Sequence, residues 1–279
     1  MQTVRIGPAP RLAVSVAGSG PFILFLHGIG GRRQDWDAQL AFFSRDFEAA
    51  WDARGYGDSE DYEGALDFGA LASDVARVLD CFGAQAAHLV GISMGGRIAC
   101  SFAWRHPERV RSLTFANSGP SFGAMTPEQV ASLVERRLQR APEAQAARML
   151  MPGARPDAYR NALAALKALR RDSYAKAIEA SVGQDVGAPL EEITASTLVI
   201  GSRHDSMYPV SVFRDIASRM PSARLLIIED AGHLCNLEQP ERFNHAVADF
   251  LAALGAKPRR RAVDTPFEEL TPVPGGFDA

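Results

Sequence analysis

In this chain of 279 residues, the residue types around Ser93 are explained better by a chemical role for the serine than by packing. Ser93 is the centre of a G-x-S-x-G sequence at residues 91–95, between a short apolar run at 87–90 and a helical pattern at 97–104. This arrangement predicts a sharp turn from a buried strand into a helix, with small residues where a side chain would crowd the bend. Such a turn lifts the hydroxyl clear of the sheet, as a nucleophile requires. The alternative is an ordinary glycine-rich turn, since the short motif also arises by chance.

A serine hydroxyl needs a neighbouring base to act as a nucleophile at neutral pH. Among six histidines, His233 is the candidate, because it lies on a loop that follows the apolar run at 225–228. Asp205 follows the preceding predicted strand at 197–200, so both side chains are expected at the same sheet edge, where open α/β sheets bind ligands. The chain order of Ser93, Asp205 and His233 is the order of a hydrolase built on such a sheet. We predict that they act as nucleophile, orienting acid and base.

The other five histidines have structural interpretations. We predict that His27 braces a loop, His88 lies in the core, His106 caps a helix end and His245 lies on a helix surface or in packing. His204 directly precedes Asp205, and adjacent residues rarely form a proton relay.

An acyl-transfer reaction also needs hydrogen-bond donors for its oxyanion. The backbone N–H of Met94, at the predicted helix start, is one candidate. The other is the N–H of Ile29, in the H-G-I-G-G loop at 27–31 that follows an apolar strand at 22–26. Phosphate binding is disfavoured for this loop because neither a G-x-G-x-x-G nor a Walker pattern follows.

The pattern of elements predicts an α/β fold with a mostly parallel sheet and helices on both faces. Further strands are expected at 11–17, 47–51 and 110–116, and a helix at 68–82. Between 119 and 190 only helical patterns occur, beginning with T-P-E-Q at 126–129, which has the form of a capping box. We therefore predict a core of residues 1–118 and 191–255, an inserted helical lid at 119–190, and a poorly ordered tail at 256–279, with a docking segment as the alternative.

Composition excludes several classes of function. Hydrophobic residues make up 47% of the chain and charged residues 23%, with a net charge of −3, so neither nucleic acid nor a membrane is expected as a partner. Three scattered cysteines are too few for a disulfide framework or a zinc site, and the first residues lack a signal-peptide pattern. We expect a cytoplasmic protein that needs no metal or organic cofactor.

Several motifs together resemble the α/β-hydrolase superfamily, in particular its lidded group of 3-oxoadipate enol-lactonases, haloperoxidase-like esterases and meta-cleavage-product hydrolases. They are L-H-G at 26–28, D-A-R-G-Y-G-D-S at 52–59, G-I-S-M-G-G at 91–96, G-S-R-H-D at 201–205, A-G-H at 231–233 and Q-P-E at 239–241. The resemblance implies an α/β-hydrolase fold and a structural role for residues 54–59. Ser93 in place of an aspartate argues against haloalkane dehalogenases and epoxide hydrolases. Ile92 in place of an asparagine disfavours carbon–carbon bond hydrolases without excluding them.

The resulting prediction is a serine hydrolase of carboxylesterase or lactonase type that cleaves a small ester or lactone through an acyl-enzyme. The alternatives are a carbon–carbon bond hydrolase of aromatic ring-cleavage products and a ligand receptor that has lost turnover. Phe122, Met125 and Met207 are candidates for the apolar pocket lining. The sequence leaves the substrate and the oligomeric state open.

Overall fold

The computed structural model describes residues 2–43, 47–119, 125–182 and 188–255 and the backbone of 271–272; for Phe47 too only the backbone is described. The strands are β1 (Gln2–Ile6), β2 (Leu12–Ala17), β3 (Phe22–Leu26), β4 (Phe47–Trp51), β5 (Ala87–Ile92), β6 (Val110–Ala116), β7 (Thr197–Ser202), β8 (Ala223–Ile228) and β9 (Thr271–Pro272). The helices are α1 (Asp37–Phe42), α2 (Phe68–Cys81), α3 (Met94–Arg105), α4 (Pro127–Gln139), α5 (Pro142–Met149), α6 (Pro156–Lys167), α7 (Arg171–Val182), α8 (Val210–Arg219), α9 (Cys235–Glu238) and α10 (Pro240–Ala253).

Within the described residues the strands form one sheet in the order β8-β7-β6-β5-β3-β4-β2-β1-β9. The six neighbouring strands β4, β3, β5, β6, β7 and β8 pair in parallel. Strand β2 pairs antiparallel with β4 and with β1. The predicted mostly parallel α/β fold is therefore confirmed. The sequence analysis missed β1, a five-residue strand that shows no distinct apolar run.

Helices cover both faces of the sheet, because alternate side chains of each central strand point to opposite sides. In β3, Phe22, Leu24 and Leu26 pack in one buried cluster with apolar residues of α2, α3 and α8. Ile23 and Phe25 belong to the opposite cluster, which includes residues of α1 and α10. With both faces buried, the sheet brings the carboxyl ends of β3, β5, β7 and β8 to one edge.

Four helices, α4 to α7, lie between β6 and β7, in the segment predicted as a lid. The predicted start of α4 is confirmed, since the Gln129 N–H donates to Thr126 Oγ1 and the Thr126 N–H donates to Gln129 Oε1. Helix α4 packs on α7, and α5 packs on α6. The division into a core of 1–118 and 191–255 and a lid of 119–190 stays a prediction.

In the predicted tail, Thr271–Pro272 pairs antiparallel with β1. Residues 256–270 and 273–279 lie outside the described residues, so the expected disorder stays a prediction. In the part of the chain that the structure describes, every helix is too short or too polar to cross a membrane.

Candidate active site

Ser93 occupies a strained turn between the last residue of β5 and the first residue of α3. Its φ of 54° and ψ of −121° lie in a region that residues with a side chain seldom adopt. Two hydrogen bonds hold this conformation: the Ser93 N–H donates to the Ala116 carbonyl over 2.9 Å, and Ser118 Oγ donates to the Ser93 carbonyl over 2.7 Å. The predicted strand-to-helix turn is thus present, with the serine at its apex.

The glycines around Ser93 are required by close backbone packing. A Cβ added to Gly95 would overlap the carbonyl oxygen of Leu26, at the end of β3. A Cβ added to Gly91 would overlap the carbonyl of Gly95 itself. In both cases the obstacle is main chain, which cannot move aside as a side chain can. This is the crowding that the sequence analysis inferred for the bend.

Asp205 and His233 form a buried hydrogen-bonded pair. Asp205 Oδ2 lies 2.9 Å from His233 Nδ1, and the two side chains are 0% and 1% exposed. The Met207 N–H donates to the other carboxylate oxygen, Oδ1, over 2.7 Å. Since Nδ1–H donates to the carboxylate, Nε2 of the imidazole is left as the acceptor, which is the tautomer that a general base needs.

Ser93 and His233 line the same cavity, which has a volume of about 560 Å³ and lies between the sheet edge and the inserted helices. Three residues were predicted to line the pocket. Met207 lines this cavity, whereas Met125 is not among the described residues that do. Phe122 belongs to a segment that the structure does not describe. The described lining consists of Ile29, Ser93, Met94, Arg97, Arg137, Gln145, Met149, Tyr174, Ile178, Ser181, Val182, Met207, Tyr208 and His233.

The two predicted oxyanion donors both belong to residues that line this cavity. Neither the Ile29 N–H nor the Met94 N–H donates a hydrogen bond to another described residue. The loop that carries Ile29 passes very close to the serine, since a Cβ on Gly28 would come within 2.9 Å of Ser93 Cβ. The geometry therefore leaves both amides available to a ligand at Ser93.

His27 holds this loop through both of its ring nitrogens. Its Nδ1 donates to the Gly28 carbonyl over 2.8 Å, and its Nε2 accepts from the Ala53 N–H over 3.0 Å. Both ring nitrogens are thus used, and burial lowers the pKa of the imidazole. The predicted bracing role is confirmed.

The segment 54–59 also has the structural role that the resemblance implied. Arg54 forms a two-pronged hydrogen bond with Asp74 of α2, at 2.7 and 2.8 Å. Arg33 bridges Asp52 and Asp58, which fixes the chain after β4.

The predicted core histidine is confirmed as well. His88 is buried and pairs through Nδ1 with Ser112 Oγ at 2.7 Å, and burial lowers its pKa to about 4. His245 and His204 are exposed, and His106 is the residue at the C-terminal end of α3.

Sequence analysis missed two arginines that line the cavity. Arg97 follows Ser93 by one helical turn, a spacing that could have revealed it. Its Nη1 donates to the Ser181 carbonyl over 2.6 Å, and its guanidinium lies 4.2 Å from the centre of the Phe68 ring. Arg137 comes from α4, and no local signal indicates which way its side chain points.

Glu238 was also missed, and it joins the histidine loop to the inserted helices. Its Oε1 accepts from the Gly232 N–H and its Oε2 accepts from the Met151 N–H, each over 2.8 Å. Beside it, the His233 N–H donates to the Met149 carbonyl over 2.8 Å. These contacts make Glu238 a positioning residue for the loop that carries the imidazole.

Burial raises the pKa of Glu238 to about 7. The folded protein therefore binds this proton more tightly than the unfolded chain does, so the stabilisation from protonation is full below the usual pKa of 4.5 and is lost as the pH rises through 7. We expect the difference in melting temperature between wild type and Glu238→Gln to fall from about pH 5 to about pH 8. Thermal unfolding of both proteins across this range measures it, and a constant or rising difference would contradict the raised pKa.

Comparison with known proteins agrees with this geometry. The family model described as "alpha/beta hydrolase fold" matches residues 21–240. A 3-oxoadipate enol-lactonase 2 from Acinetobacter baylyi is 30% identical over 233 residues, which are 81% of this chain and 87% of that protein. A 2-hydroxy-6-oxononadienedioate/2-hydroxy-6-oxononatrienedioate hydrolase from Cupriavidus pinatubonensis is 31% identical over 275 residues, which are 89% and 93% of the two chains.

A solved structure shows the same architecture. The thermophilic esterase from Thermogutta terrifontis has a TM-score of 0.80 and 25% sequence identity, covering 91% of this chain and 99% of that one. Together with the family match, which extends from β3 to the start of α10, these similarities settle the assignment that the motifs predicted. The chain belongs to the α/β-hydrolase fold family.

Proposed function

We propose that this hydrolase cleaves a carboxylic ester or lactone through a covalent acyl-enzyme on Ser93. The Ser93 oxygen attacks the carbonyl carbon while His233 Nε2 takes the hydroxyl proton, and Asp205 stabilises the resulting imidazolium. The Ile29 and Met94 amides hold the oxyanion. When the tetrahedral intermediate collapses, His233 returns the proton to the leaving alcohol. Water then attacks the acyl-enzyme with His233 again as base, which releases the acid and restores Ser93.

The observation that carries this proposal is the buried hydrogen bond from Asp205 to His233, whose imidazole lines the same cavity as Ser93. The pairing fixes the imidazole tautomer, and the strained turn presents the hydroxyl to the same space. A binding protein without turnover has no need of an ordered nucleophile, base and acid.

Labelling with a fluorophosphonate probe tests the proposal directly, because such probes react with serines that a base has activated. We expect one label per chain, on Ser93 by peptide mass spectrometry, and none on the Asp205→Asn protein within the same time. A folded wild-type protein that takes no label, or takes it elsewhere, would favour the receptor alternative.

The cavity further favours a substrate that carries a carboxylate. Its described lining includes two arginines, Arg97 and Arg137, and no aspartate or glutamate. Guanidinium groups bind carboxylates through paired, charge-assisted hydrogen bonds. The names of both relatives cited above, an oxoadipate lactonase and a dienedioate hydrolase, also denote derivatives of dicarboxylic acids.

Substitution of Arg137 is the cleaner test of this preference, because Arg97 is also tied to Ser181. We expect Arg137→Gln to lower kcat/KM for mono-4-nitrophenyl glutarate about tenfold, through loss of about 1.4 kcal/mol of charge-assisted binding. Hydrolysis of neutral 4-nitrophenyl pentanoate should change less than about twofold.

The exposed neighbour Arg136, which bonds to Ser132 on the outside of α4, supplies a matched control. Arg136→Gln should leave both rates unchanged, and Arg137→Lys should restore part of the preference for the charged ester. If Arg137→Gln lowered kcat/KM for the charged and the neutral ester by the same factor, Arg137 would have a structural role only.

The carbon–carbon bond hydrolase remains a second candidate because of the Cupriavidus pinatubonensis relative. Comparing turnover of 4-nitrophenyl esters with turnover of a yellow ring-cleavage dienoate separates the two. A higher kcat/KM for the dienoate would select the second candidate.

A further inference from the structure

A second cavity, of about 410 Å³, also reaches Ser93. It shares Ile29, Ser93 and Met149 with the first cavity, but its other described lining residues differ and none of them is cationic. They are His27, Gly28, Gly30, Gly31, Asp35, Ile92, Ala162, Leu166, Leu234 and Asn236. The two cavities therefore extend from the same nucleophile into different surroundings.

One polar residue of this second cavity is Asn236, which is only 1% exposed. Its Nδ2 donates to the Asp35 carbonyl over 3.0 Å, and this bond determines which end of the amide is the oxygen. The Oδ1 atom accepts no hydrogen bond from the described residues. A buried amide oxygen without a donor is uncommon in a folded protein, because it has lost its hydrogen bonds to water and has formed none in their place.

The second polar residue is Asp35, which is 8% exposed. Its Oδ2 accepts from the Arg32 N–H over 3.0 Å, whereas Oδ1 accepts no hydrogen bond from the described residues. The guanidinium Nε of Arg32 lies 3.9 Å from Oδ1, which balances the charge without making a hydrogen bond. Burial raises the pKa of Asp35 to about 7, because the ionised carboxylate is poorly solvated there.

We propose that the second cavity is a substrate subsite in which the carboxylate of Asp35, beside the amide of Asn236, accepts a hydrogen bond from a hydroxyl group. Both residues line the cavity and each has one oxygen that lacks a donor. A hydroxyl group carries one proton, and the charged oxygen of Asp35 is the stronger acceptor for it. A neutral hydroxyl fits better than an ammonium group, because Arg32 already offsets the carboxylate and Asn236 is uncharged. Apolar side chains of Ala162, Leu166 and Leu234 suit the short alkyl chain that would carry the hydroxyl.

This subsite rests on the proposed function, since it binds one end of a molecule that reacts at Ser93. The substrate class becomes an ester with two polar ends: a carboxylate on the arginine side and a hydroxyl on the side of Asp35. One of these ends belongs to the acyl part and the other to the alcohol part.

The test uses two pairs of esters in which a terminal hydroxyl replaces a methyl group of the same size. One pair, 4-hydroxybutyl and pentyl butanoate, varies the alcohol part; the other, ethyl 6-hydroxyhexanoate and ethyl heptanoate, varies the acyl part. We expect the wild-type protein to favour the hydroxyl member of one pair by about tenfold in kcat/KM. The corresponding 4-aminobutyl and 6-aminohexanoate esters should gain less.

Asp35→Leu tests the residue, because leucine has the same branching as aspartate but neither donates to a hydroxyl group nor accepts from one. We expect it to abolish most of the hydroxyl preference, measured as the ratio of kcat/KM within each pair of esters. The exposed neighbour Asp37, altered to leucine, is the matched control and should retain the preference.

Equal kcat/KM within both pairs for the wild-type protein would overturn the subsite, even if Asp35→Leu fails to fold. A stronger preference for the ammonium esters would overturn it as well. These results leave the proposed function intact, because the alkyl esters are still hydrolysed. Absence of any ester turnover together with absence of fluorophosphonate labelling would instead overturn the proposed function, and the subsite with it.

Discussion

Replacement of Ser93 by alanine is expected to lower kcat for ester hydrolysis by about 10⁴- to 10⁶-fold while KM changes little. The reason is that the acyl-enzyme can no longer form, whereas the cavity and the oxyanion amides are retained. Residual hydrolysis would come from water attacking a substrate that these amides still polarise. Stopped-flow detection of 4-nitrophenol adds a second measurement, because a burst of product in the wild type should be absent from the variant.

Matched variants separate this loss from a folding defect. Ser218, exposed near the end of α8, can be changed to alanine as a control, and its rate should equal that of the wild type. His233→Ala should cost about as much as Ser93→Ala, and the double variant should be no slower than either, because the groups act as one unit. Retention of more than about a tenth of the wild-type kcat in Ser93→Ala would remove Ser93 as nucleophile.

Gly95→Ala is expected to prevent folding or to lower the free energy of unfolding by about 4 kcal/mol or more. The added Cβ would overlap the carbonyl of Leu26, so β3 and the start of α3 would have to move apart. That displacement would also separate the loop of Ile29 from Ser93. For a chain of this size the loss corresponds to a melting temperature lower by about 10 °C or more, measured by circular dichroism.

Gly153→Ala is a suitable comparison, because nothing lies within 4 Å of the added Cβ and only the φ of +81° opposes it. It should cost about 1 kcal/mol. If Gly95→Ala were as mild as Gly153→Ala, the close approach of β3 and α3 would not be a requirement of the fold.

Features that depend on neighbouring residues could be predicted from the sequence. The bounds predicted for β3, β4 and β6 agree with the structure, as does the start of α4 at the Thr126 cap. The turn at Ser93 was predictable because its glycines and its flanking apolar run lie within a few positions. Asp205 and His233 each follow a predicted strand, so both were expected at the sheet edge where consecutive parallel strands end.

Side-chain directions in the inserted helices could not be predicted in the same way. Helical periodicity identifies an apolar face, but it does not say which polar residue on the border of that face turns inward. Arg137 is such a residue, because it lines the cavity, whereas its neighbour Arg136 is exposed. Asp35 and Asn236 meet across 201 positions of sequence, so their contact is a property of the fold alone.

The end of α5 shares hydrogen bonds with the loops that carry Asp205 and His233. Ser206 Oγ donates to the Arg148 carbonyl over 2.7 Å, and the His233 N–H donates to the Met149 carbonyl. Any opening that moved α5 outward would therefore release the backbone of His233 at the same time. Where α4 and α7 form the roof, the described residues show no such hydrogen bond to the His233 loop, so reactant can enter and product can leave there without moving the imidazole.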